Sequence, residues 1–395
     1  VLLNQLNTYY QAKSQNAAER QSVKEAFAES VIQGFTIVSQ DDDSVLIDYT
    51  SFLLSDIHGI SRSLAAGKQG NFSLDSSRSA VFMPRSKAFP KNTELESVVS
   101  FKGSSPGKHV KSVAPDPYNI TVHLHHSLIE LPDDNYQPRA FHPYSGFWSV
   151  ETKDYAVSLD EDMAVKYIPR HRLHKKNPTA ERSEAVDPII YYLDPGAPEP
   201  VRSALLDGAR WWSSAFEKAG FINAFQVKML PEDADPMDVR YNTIQWVHRA
   251  TRGWSYGSSV IDPRTGEILK GHVTLGSLRV RQDYLIAQGL TAPFTSDNAD
   301  TSAIKEMALA RIRQLSAHEV GHTLGIAHNF SASVNNRASV MDYPHPLVTI
   351  KDGKIDLSNA YDDKIGVWDE YVIKYGYSQF SDNNTEQQQL ASLVA

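Results

Sequence analysis

The chain contains no cysteine among its 395 residues. This absence excludes disulfide frameworks, iron–sulfur clusters, cysteine-ligated zinc fingers and thiol nucleophiles. Any bound metal must therefore use histidine, carboxylate or other oxygen ligands. The sequence also lacks any run of roughly 18 consecutive apolar residues, the length that a membrane-spanning helix requires. We therefore expect no transmembrane segment.

An excess of positive charge is also absent. The 39 basic and 47 acidic residues give a net charge of −8, which is the wrong sign for a protein whose main partner is a phosphate backbone, so no nucleic acid is expected. Apolar residues make up 41% of the chain, as in ordinary globular proteins, and the length allows two or three domains. A cysteine-free composition suits the cytosol and many exported bacterial proteins. Of the two we expect export, periplasmic or extracellular, rather than a cytoplasmic location.

The first part of the chain is predicted to be a β-rich domain over residues 1–175. Stretches rich in glycine, proline and serine separate its strand-like segments, which lie at 35–38, 45–49, 80–83, 97–101 and 120–131. The basic run Arg170–Lys176 is interpreted as a solvated linker rather than as a site for lipid or nucleic acid. The predicted linker continues over residues 176–187, and a second domain covers residues 188–395.

The second domain is predicted to combine strands and helices. Apolar residues that recur every three or four positions predict a helix over residues 201–219. A second helix is predicted to run through Ile304 to Glu319 and to stop near Gly325. Turn-forming residues at 262–266 predict a β-hairpin. The strand candidates of this half lie at 189–193, 225–230, 243–247, 258–261 and 268–278.

The end of the second helix carries the most specific chemical pattern. It reads His318-Glu319-Val-Gly-His322-Thr-Leu-Gly325-Ile-Ala-His328. Residues four apart on a helix share a face, so His318 and His322 are predicted to bind one Zn²⁺ ion. Gly325 can adopt the left-handed conformation that ends a helix, and the chain can then return His328 as a third ligand.

Three histidine ligands leave the fourth position of a tetrahedral zinc ion for water, as in catalytic sites. Glu319 is predicted to stand beside this position and to accept a proton from the zinc-bound water. Glycine and histidine at fixed offsets make the pattern more specific than His-Glu-x-x-His alone. The alternatives are a helix whose histidines only pack, and a zinc site without catalysis.

At these residues the chain resembles the metzincin zinc endopeptidases, whose extended motif is His-Glu-x-x-His-x-x-Gly-x-x-His followed by a methionine-containing turn. The segment Ser339–Tyr343 is similar to that turn. The resemblance implies that Met341 forms an apolar floor beneath the zinc ligands. It also implies that Tyr343 stabilises the tetrahedral intermediate, as in the astacin and serralysin branches. The alternative is an ordinary aromatic residue beside Pro344, with Asp342 as a competing polar group.

The resemblance further implies the fold. We expect an α+β class, with a metzincin-like catalytic domain preceded by the β-rich domain. The catalytic domain would contain a twisted mixed sheet, a backing helix at 201–219, the active-site helix, the Met-turn and a C-terminal helix that ends at Gly376. An edge strand would bind an extended peptide substrate, through Val273, Leu275 and Gly276.

A longer similarity runs from Pro188 to Gly376. It is to a family of large, poorly characterised bacterial zinc proteases, and it rests on segments at Trp211-Trp212, Arg252–Gly257 and Asp262–Glu267. Asn329 stands where the well-studied metzincin branches place other residues, so their substrate preferences are not carried over. The expected activity is hydrolysis of internal bonds in a peptide or protein substrate, and the oligomeric state stays open.

Two other functions are compatible with the sequence. One is a metal-binding surface, adhesion or scaffold protein whose β-rich half binds the partner, and the other is a zinc hydrolase that acts on a non-peptide amide. A second metal site is compatible with His123 and His125, which share one strand face with His126 opposite. A polar strand face is the simpler interpretation of that pair.

Overall fold

The computed structural model describes residues 1–249, 253–291, 301–380 and 382–395, so Arg252 of the similarity above lies outside the described residues. The chain forms two compact units. The first comprises residues 1–131, 153–163 and 237–239, and the second comprises residues 132–152, 164–236 and 240–395. Neither unit is therefore a continuous piece of the chain.

The first unit is β-rich, as predicted. Its strands are β1 (Leu2–Gln5), β2 (Tyr10–Gln11), β3 (Ser30–Gly34), β4 (Ile37–Gln40), β5 (Val45–Ile47), β6 (Asn71–Val81), β7 (Lys87–Ala88), β8 (Asn92–Ser104) and β9 (Asn119–Ile129). Its helices are α1 (Ala17–Ala26), α2 (Thr50–Leu53), α3 (Ile60–Ala66) and α4 (Lys108–Val113), with a 3-10 turn at Met83–Arg85. Strand β10 (Val150–Asp154) begins in the second unit and ends in the first.

The long strand β8 organises the core of the first unit. It pairs antiparallel with β6 on one side and with β9 on the other. Because side chains alternate along a strand, one face of β8 presents Val99 and Phe101 to the interior. Both are fully buried and pack with Phe72, Val110 and Leu124.

The second unit combines a mixed sheet with six helices among the described residues. Its strands are β11 (Ala164–Tyr167), β12 (Arg170–His171), β13 (Ser183–Glu184), β14 (Ile189–Leu193), β15 (Phe221–Ile222), β16 (Phe225–Met229), β17 (Asn242–Val247), β18 (Tyr256–Ile261), β19 (Glu267–Gly276), β20 (Thr349–Lys351) and β21 (Lys354–Asp356). Its helices are α5 (Val201–Arg210), α6 (Trp212–Lys218), α7 (Leu278–Thr291), α8 (Ser302–Thr323), α9 (Val367–Tyr377) and α10 (Asn383–Val394). A 3-10 turn covers Ala332–Asn335. None of the described helices has the length and apolar character needed to cross a membrane.

The main sheet has the order β16-β14-β17-β19, with these four strands parallel, and β18 pairs antiparallel with β19. This confirms the predicted mixed sheet and the predicted hairpin. The predicted helix over 201–219 is broken into α5 and α6, because the Trp211 amide bonds to the Gly208 carbonyl three residues back. Directly after the break, Trp212 is fully buried and its indole donates to the Ala317 carbonyl of α8 at 2.8 Å.

The strand predicted to be the substrate-binding edge is an interior strand. β19 pairs with β17 on one side and with β18 on the other, and its residues Val273, Leu275 and Gly276 are buried. The prediction that this strand is the free edge is therefore wrong, because Val273 pairs with both neighbouring strands, and the buried Leu275 and Gly276 pair with β17. Among the described strands, none pairs with the side of β18 that faces away from β19. The edge of the sheet is therefore β18.

The basic run Arg170–Lys176 is not a solvated linker. β12 pairs with β19, and Arg170, His171 and Lys175 are buried. The Lys175 ammonium donates to two backbone carbonyls of residues 180 and 181. The interpretation as a linker is therefore wrong, since the run forms part of the second unit. Residues 132–152 also belong to that unit, so the compact units divide the chain differently from the predicted boundary at residue 175.

Buried tyrosine hydroxyl groups donate hydrogen bonds to the backbone carbonyls at the C-terminal end of α8. The Tyr191 hydroxyl donates to the Thr323 carbonyl at 3.3 Å, and the Tyr377 hydroxyl donates to the Leu324 carbonyl at 3.2 Å. The ring of His171 contacts the Tyr191 hydroxyl through Nε2 at 3.1 Å. Complete burial lowers the pKa of His171 to about 4. His171 is therefore neutral in the folded protein across the physiological range.

Replacing His171 with glutamine is expected to weaken the loss of stability in acid. In the unfolded chain His171 has its usual pKa near 6.5, whereas the folded value is about 4, so the unfolded chain binds the proton more tightly. The free energy of unfolding therefore falls as the pH drops from about 6.5 to 4, by about 3 kcal/mol from this group. Urea unfolding at pH 7.5, 5.5 and 4 measures the difference between wild type and variant. The exposed His109→Gln variant is the control; an equal acid dependence in both variants would contradict the assignment.

Candidate active site

The C-terminal end of α8 and the turn that follows bring the three predicted ligands together. Gly325 has a φ of +95°, and a Cβ placed there would lie 2.1 Å from the Pro169 carbonyl oxygen, so both conformation and space require glycine. Past this residue the chain turns back and returns His328 to the helix. The His322 Nε2 atom lies 3.1 Å from Nε2 of both His318 and His328.

The hydrogen bonds of the two helical histidines fix their protonation. Nδ1 of His318 lies 2.8 Å from the Val340 carbonyl oxygen, and Nδ1 of His322 lies 2.9 Å from the Ile326 carbonyl oxygen. A carbonyl can only accept, so each Nδ1 must donate. Burial lowers the pKa of His318 well below its usual value and that of His322 to about 4. Both rings are therefore neutral, with unprotonated Nε2 atoms.

This donor set fits a zinc ion. Two unprotonated nitrogens facing each other at 3.1 Å repel unless a cation lies between them. Tetrahedral zinc with Zn–N bonds near 2.05 Å places its nitrogen ligands about 3.3 Å apart, which is close to the observed spacing. Among the described residues, the three histidines are the only group of three or more potential metal-ligating side chains close enough to share an ion.

Met341 lies beneath the helical ligands. Its side chain is fully buried, and a Cβ added to Gly321, between the two histidines, would lie 2.4 Å from the methionine sulfur. The turn that carries Met341 is held by Asp369 of α9. This carboxylate accepts from the Ser339 hydroxyl at 2.6 Å and from the Val340 amide at 2.9 Å. The Val340 carbonyl in turn orients the first ligand.

Glu319 is buried beside the first ligand and opposite β18. Burial raises its pKa to about 7, against the smaller opposing effects of a hydrogen bond from the Gly257 amide and of nearby arginines. A Cβ added to Gly257 would lie 2.0 Å from the Glu319 carbonyl oxygen. Glycine in β18 therefore allows the edge strand to approach α8 closely at this residue. A carboxyl group with a pKa near neutrality can both accept and return a proton.

Two aromatic residues flank the histidines. The ring of Tyr343 lies 4.7 Å from the His328 ring and 5.2 Å from the His318 ring, and 57% of the residue is exposed. The ring of Trp148 stacks on the His322 ring at 4.9 Å. The sequence motif does not indicate Trp148, which lies 170 positions before the first ligand. Its amide donates to the Gly325 carbonyl at 3.0 Å, which fixes it against the turn.

An open pocket of about 570 Å³ is lined by Glu319. The residues that line it come from α7, α8, the segment before β18 and the segment after the Met-turn: Gly253, Trp254, Ser255, Arg279, Gln282, Arg311, Leu315, Glu319, Tyr343, Pro344 and His345. Helix α7 was not among the predicted elements, and its contribution to this pocket was missed. The pocket provides space next to the metal ligands for part of a substrate.

The second candidate metal site in the β-rich half is a polar strand face. Nδ1 of His123 lies 2.7 Å from one oxygen of Glu96, and Nδ1 of His125 lies 3.0 Å from the other. Glu96 also pairs with Arg85 at 3.0 Å. The two rings thus share one carboxylate that an arginine already neutralises, in keeping with the simpler interpretation of this pair.

Replacing Gly325 with alanine is expected to destabilise the protein by more than about 2 kcal/mol and to weaken zinc binding. The cost combines positive-φ strain, about 1–2 kcal/mol, with the overlap at Pro169. Thermal unfolding with added zinc and with a chelator measures both effects. Gly353→Ala is the matched control, because Gly353 also has a positive φ, +73°, but nothing within 4 Å of an added Cβ. Equal losses in the two variants would show that the turn tolerates a side chain.

Comparisons with known proteins divide the chain into two matched regions. Residues 300–395 match a family model described as Met-zincin, and residues 1–176 match a domain of unknown function, DUF5117. No curated protein sequence matches the chain. Among solved structures, the crystal structure of archaemetzincin from Methanopyrus kandleri matches with 12% identity, 48% of this chain and 95% of that chain covered, and a TM-score of 0.24. A similarity at that level supports no conclusion about this chain.

The Met-zincin match includes all three histidines, Glu319 and Met341. The three histidines converge in space around one prospective metal position. The C-terminal part of the chain is therefore a metzincin-like domain, preceded by a β-rich region.

Proposed function

We propose that the protein is a zinc-dependent endopeptidase. The observation that carries this proposal is the convergence of three imidazoles, two of which have unprotonated Nε2 atoms, beside a buried glutamate that lines an open pocket. A closed structural site would surround the ion with four protein ligands. Here the described residues offer three ligands, and the carboxyl group of Glu319 is the proposed catalytic base.

Different residues are proposed to bind the metal and to transfer the proton. His318, His322 and His328 would hold zinc, which when bound lowers the pKa of water and polarises a carbonyl group. Glu319 accepts the proton of the attacking water and then returns it to the nitrogen of the leaving amine. The raised pKa of Glu319, about 7 owing to burial, suits both transfers at neutral pH.

Two further elements are proposed to contact the substrate. The exposed ring of Tyr343 lies against the rings of His318 and His328, and its hydroxyl is proposed to donate to the oxygen that becomes negative when the carbonyl is attacked. β18 is the edge strand, and no described strand pairs with its side away from β19. An extended peptide that pairs with β18 would place its scissile bond beside Glu319 without a demand for one particular sequence.

The proposed substrates are peptides or proteins, and we propose that the protein meets them after export, in the periplasm or outside the cell. The test uses the full chain with unfolded casein and a mixed peptide library. Cleavage at internal bonds, loss of cleavage with a chelator and recovery with one equivalent of zinc are expected. Folded protein that binds zinc and cleaves neither peptides nor casein would exclude the endopeptidase. A scaffold role or hydrolysis of small amides, tested with amide substrates, would then take its place.

A further inference from the structure

We propose that the pocket beside Glu319 binds a carboxylate of the substrate, carried by the residue directly after the scissile bond. This proposal rests on the proposed function and specifies its substrate class. The group that would bind the carboxylate is the guanidinium of Arg311, supported by Arg279. The resulting enzyme cuts on the amino side of aspartate or glutamate, or releases a single terminal residue with a free carboxylate.

Arg311 is a buried cation whose Nη1 atom lacks an acceptor in the described part of the chain. It lies on α8 two turns before Glu319, with Leu315 between them on the same stripe, and all three line the pocket. The residue is only 6% exposed. Its Nη1 atom is buried and has no hydrogen-bond partner among the described residues. The described contact of its guanidinium is with the ring face of Tyr361, at 5.6 Å.

The acidic side chain of Asp283, whose charge also acts on Arg311, is already paired. Asp283 of α7 forms an ion pair with Arg279, with Nη2–Oδ1 and Nε–Oδ2 distances of 3.0 and 3.1 Å. Glu319 also lines the pocket, but its catalytic role requires it to exchange protons. The pocket wall therefore carries one guanidinium in excess. A guanidinium remains charged in proteins, and a buried charge without a partner is costly. A carboxylate that enters the pocket would remove that cost.

The position of Glu319 indicates which side of the scissile bond the pocket receives. Glu319 returns its proton to the leaving nitrogen, so that nitrogen must lie next to its carboxyl group. The residue that carries the leaving nitrogen is the one after the cut. Because Glu319 lines the pocket together with Arg311, the side chain or terminal carboxylate of that residue is the nearest part of the substrate.

The test compares matched peptides. One pair differs only in Glu or Gln after the scissile bond, and a second pair ends at that residue with a free or an amidated C-terminus. Wild type is expected to favour the carboxylate in one or both pairs by about 10- to 100-fold in kcat/KM, as for a charge-assisted hydrogen bond. Preference in the first pair identifies a side-chain carboxylate and preference in the second a terminal one. Equal cleavage within both pairs would overturn the proposal without any variant.

Variants then assign the effect to Arg311. Arg311→Gln should bring the preference close to one, and Arg311→Lys should keep part of it, because the charge stays but the two-pronged geometry is lost. Arg313→Gln removes the same charge two positions away, outside the pocket, and should leave the preference unchanged. A preference that survives Arg311→Gln, or is lost equally in Arg313→Gln, would contradict the assignment.

A measurement without turnover separates the pocket from the activity. Calorimetric binding of the two peptide pairs to zinc-loaded Glu319→Gln should show the same order of affinities. If wild type cleaves no peptide, the endopeptidase fails, while tighter binding of the acidic peptides that is lost with Arg311→Gln would still support the carboxylate pocket. Equal binding within both pairs would overturn the pocket whatever the activity.

Discussion

Replacing Glu319 with glutamine is expected to lower peptide cleavage by about 10²- to 10⁴-fold, the usual effect of removing a general base. Glutamine keeps the shape of the side chain and can still occupy the site beside β18, but it cannot accept a proton. The three histidines are untouched, so the variant should retain one equivalent of zinc. The measurements are kcat/KM on a peptide cleaved by wild type, and metal content by atomic absorption.

The control for this variant is Glu306→Gln on the same helix. Glu306 is exposed, so its replacement should change neither cleavage nor zinc content. If Glu319→Gln kept more than a tenth of the wild-type rate, another group would have to be the base. If it lost zinc, its effect on cleavage would not report on proton transfer.

Replacing Asp369 with alanine is expected to lower the free energy of unfolding by about 3 kcal/mol or more. The fully buried carboxylate accepts from the Ser339 hydroxyl and from the amides of Val340 and Gly366. Each buried donor left without an acceptor costs about 1–3 kcal/mol. The Val340 carbonyl accepts a hydrogen bond from His318. We therefore also expect zinc affinity to fall about 10- to 100-fold, as it does when a hydrogen-bond partner of a metal ligand is removed.

Urea unfolding of the metal-free protein and competition with a chromophoric zinc chelator measure the two effects separately. Asp363→Ala, at an exposed aspartate shortly before α9, should leave both near the wild-type values. If the free energy of unfolding of Asp369→Ala lay within 1 kcal/mol of the wild-type value, the Met-turn would keep its conformation without the hydrogen bonds from α9.

The convergence of the three histidines could be predicted because their arrangement is local. The spacing of His318 and His322 on one helix fixes their common face, and the left-handed glycine determines how the chain returns His328. Ser339–Tyr343 was found by resemblance, and the structure places its methionine under the ligands. These parts of the site depend on contacts between residues fewer than thirty positions apart.

Other parts depend on distant contacts or on ambiguous patterns. Either strand of a predicted hairpin can lie at a sheet edge, and β19 was the strand predicted to be that edge. In the structure β19 is buried almost throughout, whereas exposed and half-buried residues alternate in β18. The polar residues Glu267, Lys270 and His272 interrupt the apolar run that would have identified β19 as an interior strand in the sequence. Helix α7 has only Asp283 and Ala287 fully buried, so it lacks the apolar stripe that identifies a helix. Trp148 reaches His322 only through the tertiary fold.

The packing of Phe147 has a consequence for how the chain acquires its shape during translation. Phe147 forms a β-bridge with Ile326, and its ring lies against Gly376 of α9. At ribosomal rates of about 5–20 residues per second, its partners emerge roughly 10–45 seconds later. During that time the nascent chain exposes an apolar segment whose final neighbours have not yet been synthesised. The three histidines gain the support that Asp369 gives to the Met-turn only when synthesis has passed α9.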